Sequence, residues 1–293
     1  MTEGKKKLTA EDLEILWQNA GLANDLMFRF VMENPSLCRK TLSLLLGKHV
    51  GVITEQQTQF SIEIDGRTKG IRLDLYVEVE GEMIDIEIQT VKLSKKEMGH
   101  RLRFYQSELD QLGISKGLKY KELKKSIIIF ICTYDPFGKG AGRYTFEETC
   151  QEQSSLILDD GATKIIYNTL GTLPESDKNK TAIENFFNYV NGEQPQDDFC
   201  KELAEEVKKQ HQSTKKKGDF FMWEQIICER EEAAAKEAAK IAAKVAATEK
   251  SEKMALKMLK GNEPVSKIAE YTELALSKIQ ELANKNGYTL VME

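Results

Sequence analysis

The 293-residue chain is short of proline and histidine, and its cysteines form no recognisable pairs. Each shortage excludes something. Five prolines beside 41% hydrophobic residues argue against a disordered chain. Cys38, Cys132, Cys150, Cys200 and Cys228 are odd in number, scattered and never spaced C-x-x-C. They read as reduced thiols of a cytoplasmic protein, neither a disulfide frame nor a zinc site. His49, His100 and His211 are too dispersed for a histidine cluster, so any metal must sit on oxygen ligands, which favours magnesium, manganese or calcium. No stretch reaches the ~18 apolar residues of a membrane span. The basic start MTEGKKKLTAEDLEILW has no apolar segment behind it, so no secretory signal and no membrane partner are expected. With 42 basic and 47 acidic side chains the net charge is −5, so nucleic-acid binding requires a local basic patch.

What the chain does have is clear periodicity. At roughly 150 residues per domain its length suggests two units, or one core with appendages. Leu13, Leu16 and Trp17, then Leu26, Met27, Phe30 and Val31, recur at helical spacing, with Asn24 or Asp25 able to cap the second helix. Pro35 restarts a helix that Gly47 stops. The period then switches to two. Phe60, Ile62 and Ile64 alternate with polar residues up to a turn at Asp65-Gly66; Ile71, Leu73, Leu75, Val77 and Val79 follow, and beyond Glu80-Gly81 come Ile84, Ile86 and Ile88. This predicts a β-hairpin with one apolar face. A helix is expected over 94–112, a strand buried on both faces over 127–131, and a second hairpin from 156–158 and 165–167 around Asp159-Asp160-Gly161. From about residue 180 the pattern is helical. It includes an Ala/Lys/Glu-rich rod over 222–260 and a terminal pair over 265–271 and 276–284. The expected domains are 1–175, a helical extension 176–221, and 222–293.

The hairpin register sets Leu75 against Ile86 and Val77 against Ile84. It therefore puts Asp74 opposite Glu87 and Arg72 opposite Gln89, all four on one face. Like charges directly opposed in a sheet cost stability unless a cation compensates them. Two such carboxylates can hold a hard divalent ion. A solvated sheet face neutralised by Arg72 is the other reading of the same pattern.

The segment IRLDLYVEVEGEMIDIEIQT resembles the core of the PD-(D/E)XK nuclease superfamily, an aspartate on one strand and Glu-x-Lys on the next, here Glu87-x-Gln89. More narrowly, the chain is similar to the recombination-promoting nuclease and putative transposase family of bacteria. The likeness runs from Asn24-Asp25-Leu26-Met27-Phe28 through Leu45-Leu46-Gly47, Lys69 to Asp74, Ile86 to Gln89 and Arg101 to Gln106. It ends with Ile129 to Cys132 and Asp135-Pro136-Phe137, and spans about residues 20–170. It implies an α/β fold: a restriction-endonuclease-like mixed sheet (αβββαβ core) flanked by helices and followed by an all-helical C-terminal region.

It also implies roles. Asp74, Glu87 and the Ile88 carbonyl would ligate Mg2+, or Mn2+, and Gln89 would orient the attacking water. Asp25, Arg72, Arg101, Arg103, Tyr105 and Gln106 would support the site or bind phosphate, although Asp25 reads equally as a helix cap. DNA is the implied substrate and DNA endonuclease action, promoting recombination or mobile-element activity, the implied function. The alternative is an inactive scaffold for self-association or partner binding. Lys116, Lys119, Lys121, Lys124, Lys125 and Lys215 to Lys217 are candidate DNA tracks, and the C-terminal helices over 222–285 the expected homodimer contact.

Overall fold

A computed structural model describes residues 8–62, 71–113 and 119–292, the strand positions 58–62 and 71–73 as backbone only. The turn expected at Asp65-Gly66, the residue Lys116 and the side chain of Arg72 lie outside the described residues.

Three helices open the chain: α1 (Ala10–Asn19), α2 (Asp25–Met32) and α3 (Pro35–Leu46). Asn24 caps α2, its side chain accepting from the Leu26 and Met27 amides. The cap belongs to Asn24 because its backbone is extended, whereas Asp25 is already the first helical residue. Asn34 caps α3 ahead of Pro35, and Gly47, at φ +65°, ends it in the left-handed region where a Cβ would be strained.

The sheet follows: β1 (Ile53–Ile62), β2 (Ile71–Val79), β3 (Glu82–Gln89), then α4 (Lys95–Gly113), β4 (Lys125–Cys132), β5 (Arg143–Phe146) and β6 (Ala162–Asn168). Strand order is β1-β2-β3-β4-β6-β5. β1, β2 and β3 form an antiparallel meander, while β3–β4 and β4–β6 pair in parallel. A parallel neighbour demands a crossover, and α4 is that crossover. At the β2–β3 turn both Glu80 (φ +51°) and Gly81 (φ +79°) are left-handed, the two-residue geometry that matches strand twist. Its pairs Leu75–Ile86 and Val77–Ile84 are those read from the sequence.

One expectation changes, and one of two open readings is decided. The antiparallel partner of β6 is Arg143–Phe146, not 156–158, which contributes only an isolated Thr149–Ile157 bridge. Short apolar runs compete for the same sheet edge, and local alternation does not say which wins. The polar face of the hairpin is also not solvated. Met98, Leu102, Tyr105 and Leu109 of α4 lie over it and form a core with Tyr76, Met83, Ile128 and Phe130. α2 packs against β2 and β3.

α5 (Lys180–Val190) and α6 (Asp198–His211) complete a compact unit, Ala10–Phe221. A second unit comprises the chain from Met222 onward. It holds most of α7 (Thr214–Lys260), with α8 (Val265–Thr272) and α9 (Leu276–Asn286). There Ala255, Leu259, Ile268, Ile279 and Leu282 make a small core of their own. Among the described residues no helix is long and apolar enough to cross a membrane.

Candidate active site and metal centre

The site lies where β2 begins and β3 ends. Pairing runs from Val79–Glu82 to Leu75–Ile86. One step further, the Asp74 amide donates to the Glu87 side chain (N to Oε1, 3.1 Å). The Ile88 backbone N–H in turn donates to the Asp74 carboxylate. Two carboxylates are thus brought together by strand register alone.

α4 supplies the cation. Its first turns lie across the end of β3, so Arg101 reaches Glu87 (Nη2 to Oε2, 3.1 Å) and Gln89 (Nη1 to Oε1, 2.7 Å) with one guanidinium fork. Tyr105, one turn on, donates its hydroxyl to the same Glu87 oxygen (3.2 Å) and accepts from Arg101 (3.0 Å). Gln89 donates its amide to Glu87 (3.2 Å) while accepting from Arg101. The guanidinium also lies over the Tyr105 and Phe130 rings, 5.3 and 5.6 Å from their centroids. The amide of Gln89 therefore links the acid to the base. Arg101 thus brings a cation to the Glu87–Gln89 pair, which carries no lysine of its own.

Behind Asp74 stands Arg29 of α2, wholly buried, with Nε 3.9 Å from Asp74 Oδ1 and Nη2 3.2 Å from Asp25 Oδ2. Asp25 thus touches the site through Arg29. A third strand carboxylate, Asp85, lies two residues before Glu87 on the same face. It is 0% exposed and neither of its oxygens has a hydrogen-bond partner.

Negative charge is in excess here, and the pKa directions express it. Desolvation, reinforced by Asp25, pushes Asp74 up to about 7, although Arg29, Arg101 and the Ile88 amide pull it down. Burial pushes Glu87 and Asp85 well above the carboxylate range, each aggravated by the charge of Asp74. Two guanidiniums face four carboxylates, Asp25, Asp74, Asp85 and Glu87. A hard cation with oxygen ligands fits that imbalance. Among the described residues no three His, Cys, Asp or Glu side chains converge into a ready-made cage, so water and substrate would have to complete the shell.

Of the residues singled out in the sequence, Asp74, Glu87, Gln89, Arg101 and Tyr105 come together, with Asp25 one contact removed. Arg103 is exposed on another side of α4. Gln106 faces down the sheet, bonded to Ser126 (2.5 Å) and Asp110 (2.8 Å). Helical geometry explains this: positions 101 and 105 share a stripe, and 103 points elsewhere. Arg29 and Asp85 were not singled out. Each had a signal: Arg29 interrupts the apolar run LMFRFVM four residues after Asp25, and Asp85 shares strand parity with Glu87.

Residues 33–267 match the family model of the PD-(D/E)XK nuclease family transposases. No curated protein and no solved structure matches the chain. Asp74, Glu87, Gln89 and Arg101 fall within the matched stretch, which starts after α2 and runs on into α8. With most of its length covered by that model, and with a meander, crossover helix and parallel strand of the restriction-endonuclease type, the chain belongs to the PD-(D/E)XK nuclease family transposases.

Proposed function

We propose that the protein is a metal-dependent endonuclease that hydrolyses phosphodiester bonds in DNA and so promotes recombination or mobile-element activity in the cytoplasm. The observation that carries this reading is the excess of buried carboxylate over guanidinium around Asp74, Asp85 and Glu87. A core does not retain unpaired ionisable groups without a cation or a function to offset them.

Asp74, Glu87 and the Ile88 carbonyl would hold Mg2+ or Mn2+. When bound, such an ion lowers the pKa of a coordinated water and stabilises the charge that grows on the phosphate. The remaining work belongs to the chain. Tyr105 and Gln89 hold Glu87 in one orientation. Arg101, fixed by Gln89 and by the rings beneath it, brings a permanent positive charge toward the scissile phosphate, which glutamine alone cannot supply. Gln89 orients the water as the lysine would in Glu-x-Lys, and its amide keeps Arg101 from swinging away. Self-association through the C-terminal helices belongs to the same reading and is supported by the half-exposed Ile241 and Val245 on α7.

The test is supercoiled plasmid with magnesium. The parent should nick it; Asp74→Ala and Glu87→Ala should not, with unchanged circular dichroism. If both variants cut as fast as the parent, the site is misassigned. One observation favours the rival reading of an inactive scaffold: Glu87 is already engaged by Arg101, Tyr105, Gln89 and the Asp74 amide. Thermal melting with and without calcium separates the two. A functional oxygen site raises the melting temperature and loses that response in Asp74→Ala, whereas a closed scaffold does not respond.

A further inference from the structure

Asp135-Pro136-Phe137 belongs to the family resemblance yet has no part in the site described above. It opens loop 133–142 between β4 and β5. That loop starts directly beside the site: Cys132 pairs with Gln89, and the Thr133 amide donates to the Gln89 carbonyl (3.1 Å). Its Tyr134 hydroxyl accepts from the Leu93 amide (3.2 Å), tying it to the segment that leads from β3 into α4. Phe137 and Tyr144 pack on the α4 side of the sheet, the face that carries Asp74 and Glu87.

The loop is built to hold one shape. The Asp135 carboxylate accepts from the amides of Phe137 (3.1 Å), Gly138 (2.9 Å) and Gly140 (2.8 Å) and from the Tyr144 hydroxyl (3.3 Å). Phe137 meets Tyr144 and Phe146 edge-on. Gly138 and Gly140 sit at φ +66° and +70°, and a Cβ on either would meet nothing within 4 Å. These glycines therefore serve conformation, and open space lies over them. Between them the exposed Lys139 stands at the apex.

Lys92, Lys95 and Lys96 are exposed on the adjoining segment, and among the described residues none of these four lysines forms an ion pair. Several lysines of the sequence-read tracks are engaged instead: Lys124 with Glu78 (2.7 Å), Lys216 with Glu33, and Lys217 with Glu14 (2.6 Å). In a chain of net charge −5, unpaired lysines on two segments that both leave the Gln89 end of β3 are the local patch that a polyanion requires.

We propose that loop 133–142 is a preformed docking element on which Lys139, flanked by the two glycines, grips the sugar–phosphate backbone of a DNA duplex entering the Asp74–Glu87 site. This rests on the nuclease reading. Because the loop is preorganised, little entropy is lost on binding, and the glycines let a backbone approach closely. Lysine, as a flexible point charge, suits sequence-independent phosphate contact.

The test is fluorescence anisotropy of a labelled mixed-sequence duplex with the full-length protein and calcium, over a salt series. Lys139→Ala should weaken binding about five-fold and reduce the salt slope by about one. Gly140→Ala, which keeps every charge but strains the loop, should also weaken binding. Lys48→Ala, whose ammonium pairs with Glu82 at the far end of β3, should leave it unchanged. If Lys139→Ala and Gly140→Ala bind like the parent, or if Lys48→Ala weakens binding as much as Lys139→Ala, the docking assignment is overturned while plasmid nicking by the parent still upholds the nuclease reading. If the parent neither binds nor nicks DNA, both fall together.

Discussion

The two faces of β3 obey opposite rules. One carries Ile84, Ile86 and Ile88, each at most 5% exposed, and is stabilised simply by leaving water. The other carries Asp85, Glu87 and Gln89, buried just as deeply but at a cost that Arg101 and Tyr105 offset only in part. Adjacent residues on one strand thus separate stability from chemistry. The isoleucine face fixes where the strand lies. The carboxylate face, held there against its own preference, is where a cation and a phosphate have something to gain.

Substitutions on either face can break this contrast. The largest effect is expected from Glu87→Gln, which should reduce magnesium-dependent nicking by about a thousand-fold or more, while lowering the metal-free melting temperature by no more than the loss of one or two hydrogen bonds explains. Destabilisation on the scale of a core truncation would mean that Glu87 is structural. Its neighbour should behave in reverse. Ile86→Ala should cost about 2–4 kcal/mol in chemical denaturation, and activity per folded molecule should persist.

Asp74 sharpens the comparison through pH. Its carboxyl titrates at about 7 in the folded chain and at about 4 unfolded. Between those values the folded state holds the extra proton, so metal-free stability is fullest below about pH 4 and is lost as pH rises through 7. Melting temperatures followed from pH 5 to 8 should fall for the parent by an amount equivalent to a few kcal/mol, and Asp74→Asn should make that slope shallower, the remainder coming from the buried Asp85 and Glu87. A rising slope would contradict the assigned burial. Magnesium should oppose the fall, because proton and metal compete for the same oxygens.

Smaller effects follow at the next positions. Asp85→Val removes two unpartnered buried oxygens and should stabilise the metal-free protein by roughly 1–3 kcal/mol. Loss of stability instead would show that Asp85 has a partner in solution. Tyr105→Phe deletes the bond to Glu87 and the one from Arg101 and should cost about 1–2 kcal/mol, read as a modest drop in the melting temperature and a correspondingly modest loss of nicking.

Much of this is legible in the sequence. The inverted parity about Glu80-Gly81 sufficed for the Leu75–Ile86 register, because a one-residue slip would turn every isoleucine outward. Asp74 and Glu87 followed from that register. For Arg101, Arg103, Tyr105 and Gln106 the family resemblance implied a common role, and only the structure separates Arg101 and Tyr105 from the other two. Illegible were the approach of Arg29 to Asp74, forty-five residues on in the chain, and the pairing of β6 with Arg143–Phe146. Both depend on contacts between distant segments, which local periodicity does not encode.

By itself the sequence determined the meander, the crossover helix, the helical C-terminal region and the two opposed carboxylates, all consequences of backbone period and strand register. Only the tertiary structure decided that the carboxylate face is roofed by α4 rather than washed by solvent. The reason is physical: alternation shows which side chains share a face but not what covers it. That cover turns an ordinary pair of acids into a buried, charge-starved site.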